Sequence, residues 1–155
     1  FELVKTYREM FKLPVFSIIF FNHESILRDD NFVIKKISNY LKNQDYKKNK
    51  ILHLGNIKIK RDWGWSVEYM EIIFKIMNSI KARDYILATG KTASLNEVIK
   101  LFFNKYGLNY KKYIKISKKY FRKHDIDQNY ANINKLKKDF GIKPKFTFKE
   151  IIDVF

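Results

Sequence analysis

Pro14-Val15-Phe16-Ser17-Ile18-Ile19-Phe20-Phe21 runs directly into Asn22-His23-Glu24-Ser25, and this change from apolar to polar decides the fold class. An almost unbroken apolar run bounded by a proline and an asparagine reads as a strand covered on both faces. That is the habit of parallel sheets in α/β proteins. In such sheets ligands sit where strands give out into loops, so a dry strand ending in Asn-His-Glu-Ser delivers polar side chains to a sheet edge. Further on stand Lys36 and then Leu54-Gly55-Asn56, leading to Lys60-Arg61-Asp62-Trp63-Gly64. This is the layout of a binding site.

Outward from that stretch, helix and strand signals alternate. Phe1 to Leu13 has helical spacing and stops at Pro14. Asn31 to Asn43 carries Phe32, Val33, Ile37, Tyr40 and Leu41 on one stripe and reads as a helix. Ile51 to Leu54 reads as a short strand, Val67 to Ile80 as an amphipathic helix, and Tyr85 to Ala88 as a buried strand closed by Thr89-Gly90. Ser94-Leu95-Asn96-Glu97 is a capping box whose helix runs to about Tyr106 and ends at Gly107. Tyr113 to Ile116 is a candidate strand, Asn132 to Phe140 a helix closed by Gly141, and Thr147 to Glu150 a second capping box. The chain shows no internal repeat and no low-complexity segment. The pattern is α/β.

Composition bounds the function. At 155 residues the chain is one domain or part of one, and without cysteine it offers neither a disulfide framework nor a thiolate metal site. No second histidine stands near His23, so no metal site is expected. The opening Phe-Glu-Leu-Val lacks the features of a signal peptide, and the longest apolar run is too short to span a bilayer; the expectation is a soluble cytoplasmic protein without a membrane partner. Thirty-two basic against sixteen acidic residues give a formal charge of +16, which on its own supports a basic nucleic-acid-binding module. Yet only five of the cations are Arg, and lysine groups such as 47–48 and 111–112 fall in loops or helix ends and read as solvated faces. Most of the aromatic residues follow helical or strand spacing and are expected in the core rather than on a base-stacking surface.

Several groups then fall into one order and spacing: Tyr7-Arg8-Glu9, Phe21-Asn22-His23-Glu24-Ser25, Arg28, Phe32-Val33, Lys36-Ile37, Leu54-Gly55-Asn56, Lys60-Arg61-Asp62-Trp63-Gly64, Tyr69, Ala88-Thr89-Gly90, Tyr120-Phe121-Arg122, Asp127, Gly141 and Lys143-Pro144. Together they resemble the C-terminal half of the GDP-mannose 4,6-dehydratases, which are extended short-chain dehydrogenase/reductases. The resemblance covers essentially the whole chain. It implies the last strands of a Rossmann-type parallel sheet together with a small substrate-binding α/β subdomain. Residues 1–21 would be the end of a Rossmann core helix and its following strand, and 22–155 mainly the substrate-binding region, with one returning Rossmann strand near 85–88.

The resemblance also implies chemistry. The parent enzyme would be a lyase using NADP, converting GDP-mannose to GDP-4-keto-6-deoxymannose by oxidation at C4, loss of water across C5 and C6, and return of the hydride to C6. The family's glycine-rich dinucleotide turn and its catalytic Tyr-x-x-x-Lys pair have no counterpart here, so the chain alone is expected to be inactive and to carry no catalytic residue. Its implied cofactor contacts are His23, beside the nicotinamide end, and Arg28, near the phosphates. Its implied contacts to a GDP-sugar are Asn22, Lys36, Asn56, Arg61, Arg122 and Asp125. Two guanidiniums and an ammonium suit the two phosphate charges of such a ligand. The bland alternatives are a backbone-satisfying role for His23, a surface position for Lys36 and a surface ion pair with Asp62 for Arg61. Full-length relatives are expected to be homo-oligomers. Here, however, Ile26-Leu27-Arg28-Asp29 stands where the family has Pro-Arg-Arg-Gly, which removes one loop arginine associated with tetramer contacts. Asp125 replaces a ribose-binding Glu, Trp65 a His, and Ile142 a Trp. Another nucleotide-sugar dehydratase, epimerase or reductase of the same superfamily is the alternative within this class.

Overall fold

A computed structural model describes residues 1–79 and 83–155. The first helix, α1 (Glu2–Phe11), ends at Lys12, which adopts the left-handed conformation with φ 54° just ahead of Pro14. α1 buries none of its residues, and Leu3, Met10 and Phe11 stay exposed. An electrostatic clamp holds its end instead. Arg8 Nε donates to the Val15 carbonyl at 2.8 Å, and the same guanidinium pairs with Asp84 through both nitrogens of its fork. Asp84 in turn accepts from the Ser17 amide at 2.7 Å.

That clamp sits beside a parallel strand pair, β1 (Ile18–Phe20) with β6 (Tyr85–Leu87), in the register Ile18 to Tyr85. Only three residues of the stretch Pro14 to Phe21 form a strand, and Ile19 and Phe20 are 49% and 41% exposed, so coverage on both faces is not what the structure shows. The reason lies in the neighbours: β6 is the one strand that pairs with β1 among the described residues. α1 meets this region through its arginine rather than through an apolar face. Hydrophobicity marked the strand but could not supply its cover.

Three further strand pairs were not legible as such. β2 (His23–Glu24) runs parallel to β5 (Gly64–Trp65), β3 (Leu52–Leu54) runs parallel to β8 (Ile114–Ile116), and β4 (Lys60–Asp62) runs antiparallel to β7 (Thr92–Ser94). Their helices are α2 (Val33–Lys42), α3 (Ser66–Met77), α4 (Leu95–Lys105), α5 (Asn134–Phe140) and α6 (Phe148–Val154). The helix expected to reach Ile80 stops at Met77, and Ile80 itself lies outside the described residues. Both capping boxes form: Ser94 with Glu97 opens α4, and Thr147 with Glu150 opens α6. Gly107 follows α4 at φ 65° and Gly141 closes α5 at φ 64°, conformations that favour glycine.

The principal core joins α2, α4 and α6 over β3, with Ile34, Ile37, Leu41, Val98, Phe102 and Ile151 buried. A second cluster packs Tyr69, Ile72 and Ile76 of α3 against Tyr85, Leu87 and Leu136. Aromatic residues are not confined to these cores. Tyr7 and Phe11 of α1 and Phe74 of α3 are exposed, because helical spacing sets which side of a helix a ring occupies and not whether anything covers that side.

The Arg-Asp-Trp-Gly stretch divides its labour residue by residue. Asp62 is fully buried and accepts from the Thr89 amide and hydroxyl, each at 2.8 Å, and from the Gly90 amide at 2.7 Å. Trp63 buries its ring in the main core and donates Nε1–H to the Ala93 carbonyl at 3.1 Å. Gly64 lies so close to the buried Tyr69 ring that an added Cβ would fall 2.1 Å from its hydroxyl. With these three anchored, Arg61 is presented to the cleft described next.

Candidate functional site

A cleft of about 570 Å³ opens where the segment after β1, the start of α2, the end of β3, β4 and the loop after Tyr120 converge. Of the eight residues singled out from the sequence, seven line it: Asn22, Arg28, Lys36, Asn56, Arg61, Arg122 and Asp125. The eighth, His23, does not line it. Its Nδ1 donates to the Phe21 carbonyl at 2.9 Å, and its ring packs beside Phe20 and Tyr69 at centroid distances of 5.3 and 5.6 Å. A carbonyl can only accept, so the imidazole proton sits on Nδ1 when the ring is neutral and Nε2 is left as an acceptor.

The four cations on the wall are held differently. Arg61 is 8% exposed; its Nη1 donates to the Lys60 carbonyl at 2.8 Å and its Nη2 to Asp125 Oδ1 at 2.6 Å. The bland alternative, a surface pair with Asp62, is therefore excluded: the Asp62 carboxylate is taken by Thr89 and Gly90. Lys36 lies 5.9 Å from the centre of the Tyr120 ring, whereas its neighbour Lys35 turns away to donate to the Ile26 carbonyl. Helical rotation separates these adjacent lysines, one to the cleft and one to a loop. Arg122 is exposed and has no protein partner among the described residues. Arg28 donates Nη1–H to the His23 carbonyl at 2.7 Å, and its guanidinium lies 3.7 Å from the centre of the Phe32 ring.

The neutral polar groups are pre-set as well. Asn22 Oδ1 accepts from Asn129 Nδ2 at 3.3 Å, while the Asn22 carbonyl accepts from the Gly64 amide. Asn56 Oδ1 accepts from the Lys58 amide at 2.9 Å, which leaves its NH₂ group to donate into the cleft. Just before it, Gly55 runs against the backbone at Tyr120, where an added Cβ would sit 2.4 Å from the carbonyl oxygen. This contact brings the 118–122 segment, and hence Arg122, against the end of β3.

Several cleft residues carried no role in the sequence reading. Phe32 and Tyr120 supply aromatic surface beside Arg28 and Lys36, and His53 reaches the wall from the exposed side of β3. Glu24 was quoted only as part of its motif, yet it is 2% exposed and burial pushes its carboxyl up to about 7, with the nearby Arg28 charge pulling the other way. A carboxylate directly after an apolar strand was the signal available for it. Among the described residues no His, Cys, Asp and Glu group has the arrangement of a metal site, and no helix is long and apolar enough to cross a membrane.

A cleft that pairs four cations with two aromatic faces and several amide donors suits a ligand combining phosphates with a flat ring or sugar. A family model described as GDP-mannose 4,6 dehydratase matches residues 1–155. The chain belongs to the GDP-mannose 4,6 dehydratase family. GDP-mannose 4,6 dehydratase 1 of Arabidopsis thaliana is 36% identical over 146 residues, covering 94% of this chain and 40% of the relative. Thus the chain spans less than half the length of that relative. Among solved structures, dTDP-glucose 4,6-dehydratase of Bacillus anthracis in complex with NAD superposes with a TM-score of 0.83 at 20% identity, over 99% of this chain and 47% of that one. RMD of Pseudomonas aeruginosa complexed with NADPH gives 0.84 at 19% identity, over 97% and 50%. At such identities the two structures bear on the fold alone, and they share the α/β, partly parallel architecture of a partial Rossmann-type chain.

Proposed function

We propose that this chain is the ligand-holding half of a nucleotide-sugar 4,6-dehydratase that converts GDP-mannose to GDP-4-keto-6-deoxymannose and water. The observation that carries the reading is the convergence of Asn22, Lys36, Arg61 and Arg122 on one cleft, with Asn56 and Asp125 beside them. Lys36, Arg61 and Arg122 bind the diphosphate, where charge-assisted bonds to guanidinium are strongest. Asn56 donates to the base, and Asp125 takes the ribose hydroxyls after exchanging part of its bond to Arg61. Membership of the family supports GDP-mannose over other nucleotide sugars.

The reaction requires a hydride to leave the sugar and return to it, and a nicotinamide cofactor supplies that chemistry when bound. Two features of this chain fit such a group. Arg28, which lines the cleft, keeps Nη2 without a protein partner among the described residues and so can meet a phosphate of either ligand. The His23 bond to the Phe21 carbonyl engages Nδ1 and leaves Nε2 out of that contact. NAD and NADPH are named with the two structural relatives, and we assign NADP here as the family's resemblance suggests. Residues 1–21 then complete the cofactor domain, residues 22–155 form mainly the substrate region, and the assembled enzyme is a cytoplasmic homo-oligomer.

Arg122→Lys tests the substrate assignment. An ammonium cannot bridge two diphosphate oxygens as a guanidinium does, so GDP-mannose affinity should fall by about 1.5–3 kcal/mol, roughly ten- to over a hundredfold. NADP affinity should hardly change. Separate calorimetric titrations of the two ligands decide it: unchanged GDP-mannose binding would make Arg122 a surface cation and the substrate site misplaced.

A further inference from the structure

Glu24 and Arg28 present an unusual pair on the cleft wall. Glu24 Oε2 and Arg28 Nε are both buried, neither has a hydrogen-bond partner, and they face each other at 3.7 Å. Everything else about Arg28 is arranged: its Nη1 is held by the His23 carbonyl and the Phe32 ring lies under its guanidinium. Glu24 is equally fixed, since its backbone pairs in β2 with Trp65 of β5 and its carbonyl accepts from Ser66 Oγ at 2.8 Å. Native proteins rarely leave two complementary buried groups just out of bonding range without a reason.

We propose that Glu24 is a positioning residue for Arg28 that works in its protonated form, so that binding of a phosphate-bearing ligand at Arg28 is coupled to proton uptake by Glu24. The inference rests on the proposed reading of the cleft as a nucleotide-sugar site, and takes Arg28, which lines that cleft with Lys36 and Arg61, to meet the sugar nucleotide's diphosphate there. An ionised Glu24 would compete with the ligand phosphate for the guanidinium and place a negative charge behind it. A neutral carboxyl still offers a carbonyl oxygen to Nε once the 3.7 Å gap closes, and leaves the full positive charge to the ligand. The proton comes from solvent and lands on the Glu24 carboxylate; no bond to carbon or phosphorus changes.

The surroundings support this direction. Burial outweighs the Arg28 charge and holds the Glu24 carboxyl near 7, so its proton is exchangeable at neutral pH. The strand beside it, β5, contributes Gly64 and Trp65, neither of which titrates. The other charged or titratable groups on the cleft wall are Lys36, His53, Arg61, Tyr120, Arg122 and Asp125, and Asp125 is already bonded to Arg61. A ligand diphosphate arriving among these cations raises the proton affinity of any acid near it.

The experiment titrates the full chain with GDP-mannose by calorimetry from about pH 6 to pH 8, in buffers of differing ionisation enthalpy, for the parent, Glu24→Gln and Glu24→Ala. The sugar-linked diphosphate does not itself titrate in this interval. In the parent, affinity should fall by up to about tenfold per pH unit above pH 7, with uptake of up to one proton per ligand. Glu24→Gln mimics the neutral acid; it should bind within about twofold of the parent at pH 6 and lose most of the slope and the uptake. Any proton exchanged by His53 persists in that variant and is subtracted. Glu24→Ala should bind about tenfold more weakly at pH 6, having lost the oxygen behind Nε. If the parent binds GDP-mannose but Glu24→Gln keeps the same pH slope and proton uptake, the inference is wrong and the cleft reading stands. If no variant, the parent included, binds GDP-mannose, the cleft reading fails and the inference falls with it.

Discussion

Asp62→Asn offers the sharpest test of how the site is built, because the residue touches no cleft surface yet decides where Arg61 stands. Its carboxylate receives three hydrogen bonds, two at Oδ1 from Thr89 and one at Oδ2 from the Gly90 amide, in a fully buried setting. An asparagine in its best orientation keeps the Thr89 bonds on its carbonyl and turns its NH₂ toward the Gly90 N–H, setting donor against donor across 2.7 Å. The lost charge-assisted bond costs about 1.5–3 kcal/mol, and the two bonds that remain weaken as their acceptor loses its charge. Relief from burying a charge offsets part of this. The net expectation is destabilisation of about 2–4 kcal/mol, read from urea unfolding at pH 7 as a lower midpoint at unchanged slope. GDP-mannose affinity should fall as well, since β4 carries Arg61 beside Asp62. A variant within about 0.5 kcal/mol of the parent would refute the idea that the Asp62 latch holds β4 against the turn after β6.

Gly64→Ala should be strongly destabilising, since its Cβ would fall 2.1 Å from the hydroxyl of the fully buried Tyr69; a loss of less than about 1 kcal/mol would mean that this contact relaxes freely. Asp84→Asn removes the clamp between α1 and the β1–β6 pair at a cost of about 2 kcal/mol near neutral pH. Because Arg8 holds the Asp84 carboxyl below the usual carboxylate range, that contribution is present above the ordinary value and disappears as pH falls through the folded one, so parent and variant should converge in acid. Glu24 acts in the opposite sense: its carboxyl is raised from 4.5 to about 7, so its contribution is full below 4.5 and is lost as pH rises through 7. That difference is worth up to about 3 kcal/mol, and Glu24→Gln should flatten this part of the stability–pH curve.

The local elements were largely legible. Ser94 with Glu97 and Thr147 with Glu150 each contain a complete helix start within four residues, so no distant contact is needed to specify them. The same holds for Ile37, Tyr40 and Leu41 of the stripe read on α2, whereas Phe32 of that stripe is exposed at the cleft and the buried Ile34 was not part of it. Most of the candidate cleft was legible too, through a motif order that keeps residue types at set separations. Strands as short as His23–Glu24, Gly64–Trp65 and Thr92–Ser94 were not, because two or three residues carry no periodicity and exist as strands only when a partner supplies the hydrogen bonds.

By itself, then, the sequence determined the α/β class, the helices with their caps, and which polar side chains stand at the ends of apolar runs, since all of these depend on the order of residues along the chain. Only the tertiary structure decided what those side chains meet. It gave Arg61 to Asp125 rather than to its neighbour Asp62, turned Lys36 toward Tyr120 and Lys35 away, and kept His23 off the cleft wall that holds Arg28. It also left Ile19 and Phe20 exposed where hydrophobicity predicted cover on both faces. The physical reason is common to all of them: hydrophobicity and spacing are properties of a segment, whereas burial, ion pairing and a shifted carboxyl such as Glu24 are properties of what another segment brings alongside.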